Sequence, residues 1–104
     1  MGRFVIVAYQ PKPGQDQALR AAVTKHCEVL RAEDLITARE PYVMVGSDGT
    51  VVEVFEWRSP EAIEAAHGSP AVQALWAEFE ACSTYTPLIE VPEAQQMFAE
   101  FDPL

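Results

Sequence analysis

The stretch EWRSPEAIEAAHGSPAVQALW, residues 56 to 76, contains two helix starts and places a histidine at the break between them. Imidazole is the side chain that exchanges protons near neutral pH, so His67 is the first residue to examine for acid or base chemistry. Metal ligation by the imidazole is one reading, and two others weigh more. With Gly68 behind it, His67 stands at a helix C-terminus, where an imidazolium meets the last carbonyls and the negative end of the dipole for a few tenths to about 1 kcal/mol. In the other reading the bend at Gly68 opens the helix layer, and His67 is a mobile acid or base facing a bound molecule. Glu53 is the second candidate. In VVEVFEW, residues 51 to 57, alternation puts Glu53 on one strand face with Val51, Phe55 and Trp57. A carboxylate buried among such neighbours is costly unless a partner compensates. Arg39 is the candidate partner in a structural ion pair; the alternative is a pocket carboxylate that acts as a base or orients substrate. Glu56, on the opposite face, is either solvated or paired with Arg58.

Phe55, Trp57, Trp76, Tyr9, Tyr42 and Tyr85, with Arg39, are the candidate lining of a pocket for a flat organic molecule. The same aromatic surface would also fill a small core. Trp76 and Phe79 lie at helical spacing, as core residues do, whereas Tyr42 and Tyr85 can offer hydroxyls to a ligand. Cys27 and Cys82 lie inside helical patterns, with no CxxC and no histidine at metal spacing, and read as reduced packing residues. His26 beside Cys27 does not read as a ligand pair, because neighbouring helix positions point about 100° apart. Serine-nucleophile motifs, Gly-rich phosphate loops, EF-hands and zinc spacings are missing from the sequence, so no cofactor and no metal is expected.

Sixteen acidic residues against seven basic ones give a net charge of -9, and the cations are scattered. Such a surface repels phosphate backbones and anionic lipid, which argues against nucleic acid and membrane as partners. No apolar run approaches the roughly 18 residues that span a bilayer. MGRFVIVAYQ lacks a small-residue cleavage site and reads as a first strand rather than a leader, so the expected compartment is the cytoplasm.

These residues must be positioned by elements that a chain of 104 residues can build as one domain. A strand is expected over 3–9, closed by the Pro-Lys-Pro-Gly loop. Asp16 should cap a helix running to Ala32, with Leu19, Val23, Cys27 and Leu30 on its apolar stripe. A second strand over 35–45 is interrupted by Pro41; GSDGT then turns the chain into a third over 51–57. Ser59-Pro60 and Ser69-Pro70 both carry the N-cap and first-turn signal, so residues 60–82 should be two helical pieces bent at 68 and 69. A last strand over 84–91 and a terminal helix over 92–101 complete the pattern.

The order β, α, β, β, α, β is that of ferredoxin-like α+β folds, a four-stranded antiparallel sheet with helices on one face. Both faces of its strands are apolar here: Phe4, Ile6 and Ala8 alternate with Val5, Val7 and Tyr9. A sheet with one solvated face would alternate apolar with polar. A homodimer packed sheet to sheet would cover the bare face.

The strand followed by PKPG, the DGT hairpin, the F-E-W-R-S end of the third strand, the A-H-x-x-P-A-V-Q-x-L-W helix and the terminal PEAQQMFAEF resemble the dimeric α/β barrel superfamily. Within it the chain is similar to the proteins grouped with antibiotic biosynthesis monooxygenases. The resemblance implies a dimer with a pocket between sheet and helices of each subunit. It spans activities from oxidation of phenols by dioxygen without metal or flavin, through haem degradation, to proteins of no known activity. Haem-degrading relatives carry a Trp and, ten residues later, a ligating His on the second helix, and an Asn in the first strand. Laid on Trp57 to Ser59, those helix positions fall at Ala66 and Trp76, and the first strand has no Asn. Two functions remain as expectations. One is a small-molecule-binding homodimer that oxidises a hydrophobic or aromatic phenol, with His67 or Glu53 as base; the other is a non-catalytic ligand-binding or structural dimer of the same fold. The second predicts a Glu53–Arg39 pair and no cavity of about 300 Å³ or more beside Trp57.

Overall fold

A computed structural model describes residues 2–104. The elements run β1 (Arg3–Pro11), α1 (Asp16–Ala32), β2 (Tyr42–Val45), β3 (Val51–Trp57), α2 (Pro60–His67), α3 (Pro70–Cys82), β4 (Ser83–Thr86) and β5 (Asp102–Pro103). The strands form one antiparallel sheet in the order β4-β1-β3-β2-β5. This is the ferredoxin-like α+β arrangement with five strands rather than four, the extra one a two-residue strand on the β2 edge. No helix among the described residues is long and apolar enough to cross a membrane.

Local chemistry sets the boundaries. The turn between β2 and β3 closes with Gly49 N–H on the Gly46 carbonyl at 3.1 Å. Gly49 then takes φ +88, a conformation that a side chain would strain. Asp48 Oδ1 accepts from the Thr50 N–H at 2.9 Å, which holds its carboxyl below the usual carboxylate range. Ser59 accepts from Ala62 N–H at 3.1 Å and Ser69 from Val72 N–H at 3.3 Å, so each helical piece has its own cap and the chain bends between them. Asp16 is the first helical residue rather than the cap; Gln15 holds the cap position without a side-chain bond, and Asp16 instead meets the positive end of the dipole.

Three expected elements come out shorter, two of them at prolines. The strand expected over 35–45 survives as Tyr42–Val45, because Pro41 has no N–H for the ladder; upstream only Ile36 bridges Trp57. The strand expected over 84–91 stops at Thr86, before Pro87. The terminal helix expected over 92–101 is a single 3-10 turn, Pro92–Gln95, preceded by another at Leu88–Glu90. An isolated helix of that length is marginal in water. Here Val91, Ala94 and Phe101 instead lie along the sheet against Ala8, Val52 and Met44, so the terminal segment packs on its own chain.

The sheet therefore has two differently covered faces. Val7, Tyr9, Val51, Phe55 and Trp57 turn towards the helices and are packed with Leu19, Leu30, Val72, Leu75 and Phe79. On the outer face the terminal segment covers Ala8 and Val52, while Phe4 (59% exposed), Ile6 (49%) and Tyr42 (73%) stay bare. Replacing Ser59 with Ala should lower unfolding free energy by about 1 kcal/mol, read as a lower urea midpoint with an unchanged slope. An unchanged midpoint would mean that Pro60 alone starts the helix.

Candidate functional site

The inner face of β3, in the middle of the sheet, puts Glu53 between Val7 of β1 and Val43 of β2. Its side chain has no accessible surface. Stripping water from an ionised carboxylate costs several kcal/mol, while one hydrogen bond to a charged group returns about 1.5–3. Glu53 is accordingly met from three sides. Tyr9 donates its hydroxyl to Oε1 at 2.8 Å, His26 Nδ1 lies 2.8 Å from the same oxygen, and the Cys27 thiol points at Oε2 at 3.6 Å. His26 is the one basic side chain within ion-pair distance of Glu53 among the described residues.

The helix above supplies two of these donors. The buried positions of α1 are Leu19, Ala22, Val23, His26, Cys27 and Leu30. A separation of about 100° between neighbours, which argues from sequence against His26 and Cys27 acting together, still lets both fall inside a buried stripe of that width. The structure corrects that reading: both side chains converge on Glu53. It also corrects the ion pairs. Arg39 binds Glu56 at 2.8 Å rather than Glu53, and Arg58 pairs with Asp34 rather than Glu56. Arg39 follows α1 in a loop that passes over the outer face, where even-numbered Glu56 also points, so it cannot reach the odd-numbered face of β3.

Donor roles are set by the network. The Tyr9 hydroxyl gives to Oε1, and the bond from His26 to the same accepting oxygen is made by the tautomer with its proton on Nδ1. Burial, and then the neighbouring Glu53, push the Tyr9 phenol well above its ordinary range. The same two causes push the Cys27 thiol up to about 12. Both groups therefore remain donors at neutral pH. The other histidine nitrogen, Nε2, has no protein partner, yet it is not sealed in: the one fully enclosed unpaired side-chain atom among the described residues is Glu93 Oε1. His26 lines an aromatic cavity of about 240 Å³, and Nε2 is the ring nitrogen that Glu53 leaves uncommitted.

Tyr9, Phe55, Trp57, Trp76 and Tyr85, five of the residues picked from the sequence, line this cavity with Val5, Val7 and His26. Glu53 stands behind its floor. Tyr9 is stacked on Phe79 with ring centres 4.6 Å apart, and the His26 ring is wedged edge-on against Phe55 and Phe79 at 5.3 and 5.1 Å, which holds the imidazole in place. Arg39 and Tyr42 are not part of it: they lie on the outer face, Arg39 with its guanidinium 5.5 Å over Phe4 and Tyr42 opposite Val54. His67 is exposed at the end of α2 and touches Trp76 edge-on at 5.1 Å, outside the cavity wall. A larger hollow of about 330 Å³ opens beyond Cys27 among Glu28, Arg31 and Glu40, but its charged walls suit water better than an aromatic ligand.

His26 Nδ1, Cys27 Sγ and a Glu53 oxygen lie within 4.8 Å of one another, a mixed donor set of the kind zinc takes. A metal there would have to displace the hydrogen bonds and protons that now hold the three together. His26 is the residue that sequence reasoning passes over. Its signal is present: a lone imidazole on the apolar stripe, four residues after Ala22 and four before Leu30.

The antibiotic biosynthesis monooxygenase profile matches residues 3–78, which take in the whole cluster and most of the cavity wall. The chain belongs to that family. Rv0793 from Mycobacterium tuberculosis is similar at 26% identity with a TM-score of 0.65, over 83% of this chain and 91% of that one. A protein of Chloroflexus aurantiacus J-10-fl described as a candidate antibiotic biosynthesis monooxygenase shares the fold at 20% identity and a TM-score of 0.63, over 81% and 83% of the two chains. No curated protein matches the sequence significantly. Family membership points towards small-molecule binding and names no substrate.

The Cys27 thiol makes the cluster sensitive to alkali. Its folded value, about 12, lies above the ordinary 9.0, so its contribution to stability is complete below pH 9 and lost as pH rises towards 12. Urea midpoints should fall between pH 9 and 11, less steeply in Cys27→Ala, and the folded wild-type thiol should resist alkylation at pH 8. A Cys27 that alkylates at the rate of a free thiol would show that the cluster is open to solvent.

Proposed function

We propose that this family member is a homodimer that binds a small phenol or enol in the aromatic cavity and oxidises it with dioxygen, using no metal, flavin or other cofactor. One observation carries the reading beyond family membership: His26 lines the cavity while its Nδ1 is held by a buried carboxylate, which leaves Nε2 as the nitrogen free for a ligand. His26 thus takes the base role considered for His67. Glu53 does not touch the substrate; it fixes the tautomer of His26 and stabilises the imidazolium.

In the reaction, Nε2 accepts the hydroxyl proton of the substrate and leaves an electron-rich aryloxide in a water-poor aromatic site. A ring carbon of the aryloxide bonds to dioxygen by two one-electron transfers, which reduces dioxygen to the peroxide level. His26 returns its proton to the distal oxygen. Loss of hydrogen from the same carbon as a proton, with cleavage of the O–O bond, gives a carbonyl and one water. The sum is phenol plus dioxygen to quinone plus water. The substrate supplies all the electrons, and His26 ends as it began.

Phe4, Ile6 and Tyr42 support the dimer: an apolar face of this kind on a sheet that is packed on its other side marks an interface. Cys27 and Cys82 are both free and buried, as suits the reducing cytoplasm.

The test is dioxygen uptake with a panel of phenols and hydroxynaphthalenes, with label from dioxygen followed into the quinone. His26→Asn keeps a donor towards Glu53 but has no base, and should slow turnover by about 100-fold or more, whereas His67→Ala should leave it unchanged. Uptake by neither wild type nor variants, with ligand still bound, would leave the non-catalytic binding dimer as the reading. Sedimentation should give two chains per particle, and Ile6→Glu should give one; a monomeric wild type would sink the sheet-to-sheet packing.

A further inference from the structure

The floor and walls of the cavity go further than "a small aromatic" in describing what fits. We infer that the site takes an uncharged, planar, bicyclic hydroxyarene, which enters with its proton on and ionises only in place, and that it rejects a carboxylate of the same size and shape. This rests on the small-molecule-binding reading above.

The first ground is polarity. Tyr9 spends its hydroxyl on Glu53, and so does His26 its Nδ1–H. What the floor presents is His26, whose ring is already committed through Nδ1 to the buried Glu53 carboxylate. A hydroxyl can bond to the remaining ring nitrogen without bringing charge; an anion arrives with Glu53 directly behind that ring. None of the residues around the cavity is Lys or Arg, so nothing there offsets a ligand's negative charge, and the chain as a whole carries -9. Once a hydroxyl has given its proton to Nε2 the charges alternate: aryloxide, imidazolium, carboxylate. An anion formed inside is thus matched by the cation formed with it, while an anion arriving from solvent is not.

The second ground is size. A dry apolar cavity of about 150 Å³ accepts one benzene ring. The 240 Å³ here adds room for a second fused ring, held between the faces and edges of Phe55, Trp57 and Trp76. Tyr85, 48% exposed, is the most open of the lining residues and marks the mouth, so a third ring would lie past it in water. Burial, Glu80 and Cys82 raise the Tyr85 phenol above its ordinary value, so at neutral pH it is a second uncharged group facing the ligand.

The experiment is binding at pH 7 of 2-naphthol, phenol and 2-naphthoate to the wild-type protein, followed by quenching of its two tryptophans. 2-Naphthol should bind at least about tenfold tighter than phenol, from the apolar area of the second ring, and at least about tenfold tighter than 2-naphthoate. In Glu53→Gln the ratio of naphthol to naphthoate should narrow. If that variant fails to fold, the wild-type ratios decide. Naphthoate binding as tightly as naphthol, or a folded Glu53→Gln with an unchanged ratio, overturns the charge argument; phenol binding as tightly as naphthol overturns the size argument. Naphthol bound selectively with no dioxygen uptake leaves this inference standing and removes oxidation. Dioxygen uptake with a three-ring phenol but no binding of naphthol does the reverse.

Discussion

A carboxylate with no lysine or arginine beside it lies in the middle of the sheet, and much of the molecule is arranged to keep it there. Glu53 is fully buried, and the hydrogen bonds that make this tolerable come from β1 through Tyr9 and from α1 through His26 and Cys27. Three segments distant in sequence are joined by one side chain. The same requirement orients the imidazole: with Nδ1 committed to Glu53, Nε2 is left for the cavity.

The surroundings of the cluster divide the work. Phe55 and Phe79 clamp the His26 ring from two sides, and Phe79 also stacks on Tyr9, so aromatic packing fixes both donors before any ligand arrives. Trp57, Trp76 and Tyr85 form the rest of the wall. The break between α2 and α3 separates His67 at the end of one piece from Trp76 in the next, and of the two only Trp76 lines the cavity. On the far side of the sheet, residues 91–101 cover only part of the apolar surface, which leaves Phe4, Ile6 and Tyr42 exposed.

How far these arrangements are legible in the sequence depends on the range of the forces involved. Serine followed by proline marks a helix start through contacts of three residues, and both starts lie where the sequence puts them. Alternation along β3 identifies Glu53 as out of keeping with its face, which is a statement about one strand and one period. Its partner is another matter. Arg39 is near in sequence but sits on the other side of the sheet, and His26 is remote in sequence but lies directly above. The terminal segment carries a helical pattern without forming the helix, because a first-turn proline and helix-forming residues describe a local preference, whereas the apolar sheet face that draws Val91 and Phe101 along it is a tertiary fact.

The sequence by itself determined the element order, the capped double helix, the two apolar faces of the sheet and the presence of a misfit carboxylate, because each comes from propensities and periods that act within a few residues. Only the tertiary structure decided which histidine meets that carboxylate, which aromatic residues share a cavity and on which face Arg39 lies. Those are questions of strand register and of the rotation of α1 over the sheet, and both are set by the packing of segments that are far apart along the chain.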